Sequence, residues 1–578
     1  MILTQEQKDI IKSVKTQDKI KINAYAGTGK TTILIEIAKA YPDKKILYMV
    51  FNKSIKEEVS KKASQNLIVK TFHQIAYQYI VGNGNKKILN NKDLIDFIQS
   101  TLDISKISNC ILLSKVFSAF CLHDFKEPDI ENIKYVITKD KTLEALAFST
   151  YARFKKSKYS SKTEIIDNKS IELNEKNKKS EIDFYTITKQ IRSIFNTMER
   201  MDTVYTHDAY LKIFEKNINK FNPFINYDAI VIDEAQDLNP VMISIYEKIN
   251  IKQKILVGDK HQSVYSWRNA VNSLSKINDH KEFYLTTSFR FHNKEVIELA
   301  NNFLKNWKKE TKFINSIAGN LNGKKAYLTR TNAKIINRIM KDKSEAKIFI
   351  HGKKTLIDNI KNGNKIKQFY ETMDESNLYG LNEYIKTLLR NYNYAEYKEN
   401  ANSFKIFMNM FLENLLLEEY FALDVLNEYS YENIINTIEK RHSEDSDMIY
   451  ITAHSSKGLD FDDVEISEDF ISVTDLIISY VYKKYKNKEE LNNMRTIIKI
   501  IQEILDGIQN NDDKYLFFID ELNLRYVAIT RTIKNIYGAG YELIKKDFHN
   551  FHQQENLTKI SNKIFEKQIN QKVLLLKE

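Results

Sequence analysis

The sequence is poor in the residues that cross-link or interrupt a polypeptide chain. Its 578 residues include only 2 Cys, 4 Pro and 14 Gly. Cys110 and Cys121 cannot supply the disulfide framework of a small secreted protein, and their spacing fits two buried apolar side chains on one helix face. Because Pro and Gly are so few, long helices are favoured. For the same reason, each glycine inside a motif is more informative than usual.

Long hydrophobic runs are also missing. No apolar run approaches the roughly 18 residues of a membrane span, and the first residues lack the basic-then-apolar pattern of a signal peptide. We therefore expect a soluble intracellular protein with no membrane partner, cytoplasmic or, in a eukaryote, nuclear. The formal net charge of +12 favours a polyanionic partner over an acidic substrate pocket, but a solvated lysine-rich surface explains it equally well.

Apolar residues are abundant, at 42% of the chain, and they cluster in short β-branched runs. The chain is too long for one core, because cores stop growing at about 250 to 300 residues. A first set of predicted buried strands covers 19–23, 45–51, 228–234, 253–259 and 282–288. A second set covers 325–329, 346–351, 448–453, 464–467 and 535–541. Two separate parallel sheets are therefore predicted.

Helical sequence without strand signals separates these runs, at about 83–205, 365–445 and 471–518. In the first block, a helical face indicates core packing; its residues are Ile187, Ile191, Ile194, Phe195 and Met198. The same block contains Lys155–Asp183, which is rich in polar residues and is predicted to be a surface loop. A solvated insertion is the simpler interpretation of this loop, although nucleic-acid contact is an alternative.

A glycine-rich segment, AYAGTGKT at residues 24–31, lies between a predicted strand and a predicted helix. This is the context of a phosphate-binding loop, in which Gly27 and Gly29 let backbone N–H groups converge on phosphates. Lys30 would reach the β- and γ-phosphates of ATP, and the Thr31 hydroxyl would face Mg²⁺.

The acidic segment DAIVIDEAQD, residues 228–237, is a hydrophobic strand that ends in carboxylates. Asp233 is placed to hold Mg²⁺ through water, and Glu234 to polarise the water that attacks the γ-phosphate. Such a cluster could instead cap the next helix. The preceding phosphate loop, and the position at a strand end where open α/β sheets bind ligands, favour the catalytic interpretation.

Taken in order, these and further motifs from residue 3 to about 545 resemble superfamily 1 DNA helicases of the UvrD/Rep type. The segment THDAYLK, residues 206–212, points within that group to the branch containing the F-box DNA helicases. The resemblance implies an α/β fold with two RecA-like parallel-sheet motor domains of the P-loop NTPase class and helical accessory insertions.

The resemblance and the strand pattern together divide the chain. We expect the first motor domain at 1–82 and 206–281, interrupted by a helical insertion at 83–205. The second motor domain is expected at 282–364 and 446–546, with its own helical insertion at about 471–518. A small helical accessory domain at 365–445 and a C-terminal helical tail at 547–578 complete the division.

The resemblance also assigns the nucleotide site. It implies that Gln7 hydrogen-bonds the adenine edge, that Phe289 stacks on adenine, and that Asp460 stands where the family usually has Glu. The expected catalytic residues are Glu234, Lys30, Gln262, Arg290 and Arg531, with Gln262 sensing the γ-phosphate and Arg531 acting as the arginine finger. The expected nucleotide-binding residues are Gln7, Ala26, Gly27, Thr28, Gly29, Lys30, Thr31, Thr32, Phe289, Arg290, Asp460 and Arg531. Any one of these arginines could instead form an ordinary surface ion pair.

Single-stranded DNA and its junctions with duplex are the expected partners. By resemblance the contacting residues are Phe51, Asn52, Lys53, Thr71, Phe72, His73, Tyr265, Trp267, Thr452 and His454. The segment 258–269 places Gln262, facing ATP, a few residues from Tyr265 and Trp267 along the DNA path, and its Arg268 would support the acidic site. A lone Trp is more often a core residue, but this motif favours a stacking surface for a base.

The sequence therefore predicts an ATP-dependent DNA translocase and helicase, moving 3' to 5' by resemblance. The small second accessory domain keeps an alternative open: a DNA-stimulated ATPase that strips proteins from DNA, or a switch subunit of a larger complex, with little unwinding. A helicase–nuclease is disfavoured because only the expected tail at 547–578, about 30 residues, follows the second motor domain.

Overall fold

The computed structural model describes residues 3–50, 53–82, 84, 86–154, 180–264, 272–317, 323–390, 392, 403–413, 416–485, 491, 493–550 and 557–566. Within these residues the fold is α/β, with helices covering two parallel sheets. The expected fold class is therefore confirmed.

The strands are short, as the apolar runs predict. In chain order they are β1 (Lys19–Ala24), β2 (Ile46–Val50), β3 (Leu67–Thr71), β4 (Lys87–Ile88), β5 (Ala152–Phe154), β6 (Ser180–Ile182), β7 (Val204–Tyr205), β8 (Ala229–Ile232), β9 (Gln253–Gly258), β10 (Lys281–Leu285), β11 (Thr287–Ser288), β12 (Asn315–Ser316), β13 (Lys325–Thr329), β14 (Phe349–Ile350), β15 (Met448–Thr452), β16 (Phe461–Ile466) and β17 (Thr532–Tyr537). Most of them lie within two sheets.

The helices up to residue 276 are α1 (Gln5–Ser13), α2 (Lys30–Ala40), α3 (Lys53–Ser60), α4 (Phe72–Ile80), α5 (Asn91–Leu102), α6 (Ile107–Cys121), α7 (Ile130–Lys139), α8 (Lys141–Tyr151), α9 (Phe184–Met201), α10 (His207–Phe221), α11 (Pro240–Lys248) and α12 (Ser273–Lys276). Those that follow are α13 (Lys294–Lys308), α14 (Asn332–Lys341), α15 (Lys353–Thr372), α16 (Glu383–Arg390), α17 (Ser403–Glu413), α18 (Leu417–Glu428), α19 (Tyr431–Arg441), α20 (Val473–Tyr485), α21 (Met494–Gln509), α22 (Leu516–Ile529) and α23 (Ala539–Asn550).

The first sheet has six parallel strands in the order β10-β1-β9-β8-β2-β3. β1, β2, β8 and β9 are almost continuously buried, because helices cover both faces of the sheet. The carboxyl ends of β1 and β8 lead into the glycine-rich loop and the acidic segment, so parallel pairing brings both motifs to one edge.

The second sheet has five parallel strands in the order β14-β15-β13-β16-β17. Its two buried central strands, β13 and β15, match the predicted strands 325–329 and 448–453 closely. The predicted strand at 346–351 is reduced to the two residues of β14, at the edge of the sheet.

Two further differences from the sequence expectation concern β3 and the run at 282–288. β3 was not predicted, because its run of apolar residues is short and mixed with Lys70. The run predicted at 282–288 divides into β10, which pairs with β1 of the first sheet, and the two-residue β11. The first sheet therefore extends to Leu285, beyond the expected domain boundary at 281.

Helices fill the blocks between the strands. The predicted face of α9 lies in one large core, and all five of its side chains are fully buried. Cys110 and Cys121 are buried in the same core on α6, as the sequence indicated. The predicted loop Lys155–Asp183 lies outside the described residues from 155 to 179. The second helical block begins at Lys353, where α15 starts, and α16 of that block packs against α8 of the first.

In the described ranges no single helix is long and apolar enough to cross a membrane. Only α5 and α6 taken together reach that composition, and they are bent by 112° at their junction.

Candidate active site

The glycine-rich loop joins the carboxyl end of β1 to α2. Gly27 and Gly29 adopt φ values of 74° and 81°, a left-handed conformation that favours glycine, and Gly29 is the N-cap of α2. Ala26 and Thr28 are buried, and the Thr28 hydroxyl donates to the carbonyl of Tyr25 across the turn. The loop therefore presents backbone N–H groups and the N-terminus of α2, an arrangement suited to phosphate.

The loop packs directly against residues that follow the first sheet. A Cβ on Gly27 would lie 2.5 Å from Ser288 Oγ and 2.6 Å from Arg290 Cβ, so glycine permits this contact. The backbone N–H of Phe289 donates to the carbonyl of Gly27. A cavity of about 320 Å³ opens beside this contact; its lining residues are Gly27, Thr28, Gly29, Lys30, Thr31, Thr32, Glu234, Gln262, Phe289, Arg290, Gly458, Asp460 and Arg531.

The acidic pair lies at the end of β8, beside this cavity. Asp233 is buried, and its Oδ2 accepts from Tyr48 Oη at 2.6 Å and from Thr31 Oγ1 at 3.4 Å. Glu234 has a φ of 51°, a strained conformation for a residue other than glycine, and its Oε1 lies 3.7 Å from Lys30 Nζ. The carboxylates thus point to different partners, Asp233 to hydroxyls and Glu234 to the lysine.

These environments shift the pKa values of the two carboxyl groups in opposite directions. Burial and the charge of Glu234 raise the pKa of Asp233. Burial alone would raise the pKa of Glu234 as well, but the ammonium groups of Lys30 and Lys457 outweigh it and lower that pKa. Glu234 is therefore ionised at neutral pH, as a residue that polarises water must be.

A network of buried polar side chains connects Glu234 to the residues after β9. Gln236 Nε2 donates to Glu234 Oε2 at 2.5 Å, and Gln236 Oε1 accepts from the backbone N–H of Asp259 at 3.1 Å. A Cβ on Gly258 would collide with Gln236 Oε1, so glycine is needed there. Gln262 Nε2 donates to Asp259 Oδ2 at 2.8 Å, which holds the proposed phosphate sensor in place.

Two arginines reach the cavity from beyond the first sheet. Arg531 NH2 donates to Gln262 Oε1 at 3.3 Å, and Arg290 NH1 donates to the carbonyl of Thr530 at 2.8 Å. Arg290 Nε lies 3.6 Å from Asp460 Oδ2. Burial and the neighbouring Arg290 lower the pKa of Arg531 to about 9, so both groups stay charged at neutral pH. The shorter Asp460 thus still pairs with an arginine at the cavity.

Gln7 lies above the glycine-rich loop. Its Oε1 accepts from the backbone N–H of Thr4, and its Nε2 donates to the carbonyl of Thr28 at 3.4 Å. A capping box with Thr4 at the start of α1 fixes this side chain. One N–H and one lone pair of the amide remain for the edge of a base.

The donor set fits a magnesium–nucleoside triphosphate. Hard oxygen donors, Thr31 Oγ1 and the Asp233 carboxylate, converge within 3.4 Å, as Mg²⁺ requires. Lys30 and the two arginines face the same cavity, where phosphate charge would be placed. Arg290 Nε is buried and makes no hydrogen bond within the described part of the chain, which leaves it a donor for an anion.

Sequence reasoning missed four residues at this site. Lys457 Nζ crosses to the first motor domain, where it donates to Asp237 Oδ2 and to the carbonyl of Gln262, both at 2.6 Å. Lys457 and Gly458 lie between two expected site residues, His454 and Asp460, which were the available signal. Tyr48 and Gln236 gave no signal of their own, because a Tyr in a strand normally indicates core packing.

The residues expected to contact DNA are only partly described. Phe51, Asn52, Tyr265, Trp267 and Arg268 lie outside the described residues. Lys53 is the first residue of α3.

The described residues of the segment Thr71–His73 differ in exposure. The Thr71 hydroxyl caps α4 by accepting from the backbone N–H of Gln74. Phe72 is 2% exposed and packs in the core, and its contact with DNA stays a prediction. His73 alone of the three remains partly exposed.

Thr452 and His454 begin the turn after β15. The Thr452 hydroxyl donates to Ser455 Oγ at 3.0 Å and is nearly buried. Burial and the charge of Arg330 lower the pKa of His454 to about 4, so its ring is neutral. Arg330, which the sequence did not single out, binds Glu521 through two N–H groups at 2.9 and 2.6 Å beside this turn.

Comparison with known proteins identifies relatives. Residues 3–284 match the family described as the UvrD/REP helicase N-terminal domain. The chain is 27% identical over 553 residues to F-box DNA helicase 1 of Gallus gallus, covering 92% of this chain and 48% of that protein. It is 26% identical over 498 residues to F-box DNA helicase protein 1 of Schizosaccharomyces pombe, covering 81% and 53%.

A third relative is a probable DNA helicase II homolog of Mycoplasma capricolum, 24% identical over 54% of this chain and 42% of that protein. The chain thus spans about half the length of the curated relatives it matches first. The matched family region ends at residue 284, within β10, which closes the first sheet. Residues 3–284 are thus similar to the UvrD/REP helicase N-terminal domain, and most of the chain, with its two parallel sheets, is similar to the F-box DNA helicases.

Proposed function

We propose that this chain is an ATP-dependent motor that moves along single-stranded DNA, 3' to 5', and unwinds duplex at its junctions with single strands. One observation carries the proposal: groups from two different sheets meet in one cavity. Lys30, Thr31 and Glu234 come from the first sheet, and Arg531 and Asp460 from the segments of the second.

This division couples hydrolysis to movement. The γ-phosphate of ATP would lie near Lys30 and Gln262, and Arg531 already contacts Gln262 across the cleft. Arginine contacts of this kind stabilise the charge that develops during phosphoryl transfer. Because those contacts require a closed cleft, each cycle of hydrolysis would close and reopen the two domains.

Each side chain of the site has a proposed role in hydrolysis. Glu234 orients and polarises the attacking water, Lys30 neutralises phosphate charge, and Arg290 and Arg531 stabilise the transition state. Thr31 and Asp233 hold Mg²⁺, which when bound neutralises charge on the phosphate oxygens. Gln7 and Phe289 hold the adenine.

DNA recognition is proposed to depend on backbone and stacked bases, since a motor must accept any sequence. The proposed contacts are those at Lys53, His73, Thr452 and His454, with Phe51, Asn52, Tyr265 and Trp267. Affinity should fall steeply with salt, because phosphate contacts release counterions.

Two assays on the full chain test the proposal. ATP hydrolysis is measured with and without single-stranded DNA, and strand separation on duplexes with a 3' or a 5' tail. Stimulation by DNA together with unwinding of the 3'-tailed substrate alone supports it. Stimulation without strand separation favours the alternative of a protein-stripping ATPase or switch subunit, whereas hydrolysis indifferent to DNA overturns the motor.

A further inference from the structure

The segment Thr206–Lys212 resembles a segment of the F-box DNA helicases, but the proposed mechanism assigns it no role. Thr206 caps α10 by accepting from the backbone N–H of Ala209, so α10 starts at His207. α10 leads into β8 and α4 follows β3, so both helices begin at the carboxyl edge of the first sheet. The two helices pack against each other there, on the edge that carries the active site.

Four aromatic rings meet where these helices begin. We name His73, Tyr77, His207 and Tyr210 the aromatic platform. Tyr210 is buried and forms its floor, with His73 and Tyr77 each 5.9 Å away in edge-to-face contact. His207 lies 5.6 Å from Tyr210 and 6.3 Å from His73.

The platform is open to solvent on its outer side. Tyr77 is 41% exposed, His207 is exposed and His73 is partly exposed. Tyr77 follows His73 by one helical turn, so both rings project from the same face of α4. His207 Nδ1 and Tyr210 Oη are 3.0 Å apart, a hydrogen bond that fixes the His207 ring over the floor. Rings held in place by a buried floor lose little freedom when a flat ligand stacks on them.

The His73 ring of the platform carries no charge. Burial and the neighbouring His207 lower the pKa of His73 to about 4, so the ring is neutral at physiological pH. A neutral ring offers a stacking surface and not a salt bridge to phosphate. Stacking on aromatic side chains accepts every base, which suits binding without sequence preference.

Lysines beside the platform supply positive charge. Lys70, at the end of β3, donates to Gln78 Oε1 at 3.2 Å on the helix that carries Tyr77. Burial, with a smaller contribution from the charges of Lys56 and Lys45, lowers the pKa of Lys70. A phosphate placed among these lysines would relieve their repulsion.

We propose that the aromatic platform stacks an unpaired base of single-stranded DNA while Lys70 faces the adjoining phosphate. This rests on the proposed function and extends the expected contact at His73 to Tyr77 and His207. It assigns a role to the segment 206–212, because Tyr210 and His207 position two rings of α4, those of His73 and Tyr77, for stacking.

The test measures binding of a fluorescent oligo(dT) to the full chain by anisotropy, without nucleotide. Tyr77→Ala and His207→Ala should each weaken binding about five- to tenfold, the lower range for one stacked base. Tyr77→Phe should keep wild-type affinity, because it keeps the ring. Tyr135→Ala is the matched control: Tyr135, on α7, is 45% exposed and lies edge-on to His123, which is not one of the platform residues.

An oligonucleotide with abasic sites separates stacking from a structural effect. Wild type and Tyr77→Ala should bind abasic DNA equally, since no base is present to stack. Equal affinities on oligo(dT), or the same loss on abasic DNA, would overturn the platform while leaving the motor intact. If the wild-type protein binds no single-stranded DNA at all, both the proposed function and the platform are wrong.

Discussion

Tyr48 Oη lies 2.6 Å from Asp233 Oδ2, and both side chains are buried. The two residues come from neighbouring strands of the first sheet, β2 and β8, whose parallel register sets Tyr48 opposite Val231. Thr31 Oγ1 lies 3.4 Å from the same carboxylate oxygen. Two hydroxyls, one from a strand and one from the phosphate loop, therefore orient the carboxylate that we propose holds Mg²⁺.

Tyr48→Phe should weaken magnesium binding without unfolding the protein. The ring stays in the core, but Asp233 loses a hydrogen bond to a charged group, worth about 1.5 to 3 kcal/mol. In a binding titration with a fluorescent ATP analogue, the Mg²⁺ concentration at half-saturation should rise about tenfold or more, since about 1.4 kcal/mol corresponds to a factor of ten. Magnesium-free nucleotide binding should match wild type; an unchanged Mg²⁺ dependence would show that Tyr48 has only a packing role.

Lys30→Ala and Glu234→Gln should fail in different ways. Lys30→Ala removes the main side-chain charge facing phosphate, so nucleotide affinity and turnover should both be lost. Glu234→Gln keeps the shape of the site and should bind ATP while turnover falls at least a hundredfold, since the amide cannot polarise water. Equal loss of nucleotide affinity in the two variants would contradict this division of roles.

Lys457→Ala should uncouple the two motor domains. Lys457 Nζ lies 2.6 Å from Asp237 Oδ2, and without it a buried carboxylate of the opposite domain loses its ion-pair partner. We expect kcat for DNA-stimulated hydrolysis to fall about tenfold or more, with a smaller change in KM. Lys457→Arg should restore part of kcat; a variant with raised KM and normal kcat would instead place Lys457 in substrate binding.

Lys308→Met should stabilise the protein, most strongly at or below neutral pH. Burial lowers the pKa of Lys308 from 10.5 to about 7, so the folded state binds the proton less tightly than the unfolded state. The cost is therefore full below pH 7 and disappears as the pH approaches 10.5.

Thermal melts at pH 6.5 and pH 9.5 measure this difference. The gain should be about 1 to 4 kcal/mol at the lower pH and smaller at the higher. Lys305→Met, at an exposed lysine on the same helix, should show no such pH dependence. A loss of stability at pH 6.5 would show that the Lys308 charge is well paired.

Trp267→Ala tests the residue expected to stack on DNA, which lies outside the described residues. Affinity for single strands should fall by about 1 to 3 kcal/mol, with ATP binding retained. At saturating DNA the rate of translocation should fall more than the rate of ATP hydrolysis. The cleft can still close on ATP, but the protein holds the strand less firmly during each step. A large drop in melting temperature with normal activity per folded molecule would identify Trp267 as a core residue instead.

The chemistry of the nucleotide site was predictable because its residues occur in local motifs. Every cavity-lining residue except Gly458 was expected. The patterns at Gly27–Thr31 and at Asp233–Glu234 indicate phosphate and Mg²⁺ chemistry by themselves, whereas the family resemblance supplied the others: Gln262, Phe289, Arg290, Asp460 and Arg531. Tyr48 could not be predicted, because its contact with Asp233 depends on the pairing of two strands distant in sequence.

The strands, too, were predicted where the local sequence alone indicates the structure. Central strands buried on both faces appear as continuous apolar runs, so β1, β2, β8 and β9 were found. The edge strand β3 has one mixed face and was missed. The burial of Phe72 was not predicted for a related reason: the motif indicates a DNA-facing segment, but the first turn of α4 directs this ring into the core.

The position of β1 has a consequence for synthesis on the ribosome. β1 lies between β9 and β10, so residues 19–24 meet their partners only after residue 285 has been made. At about 5 to 20 residues per second, the strand that carries the phosphate loop waits on the order of 10 to 50 seconds with both edges unpaired. During that interval the nascent chain exposes apolar strand edges, and we expect it to depend on chaperones that shield them.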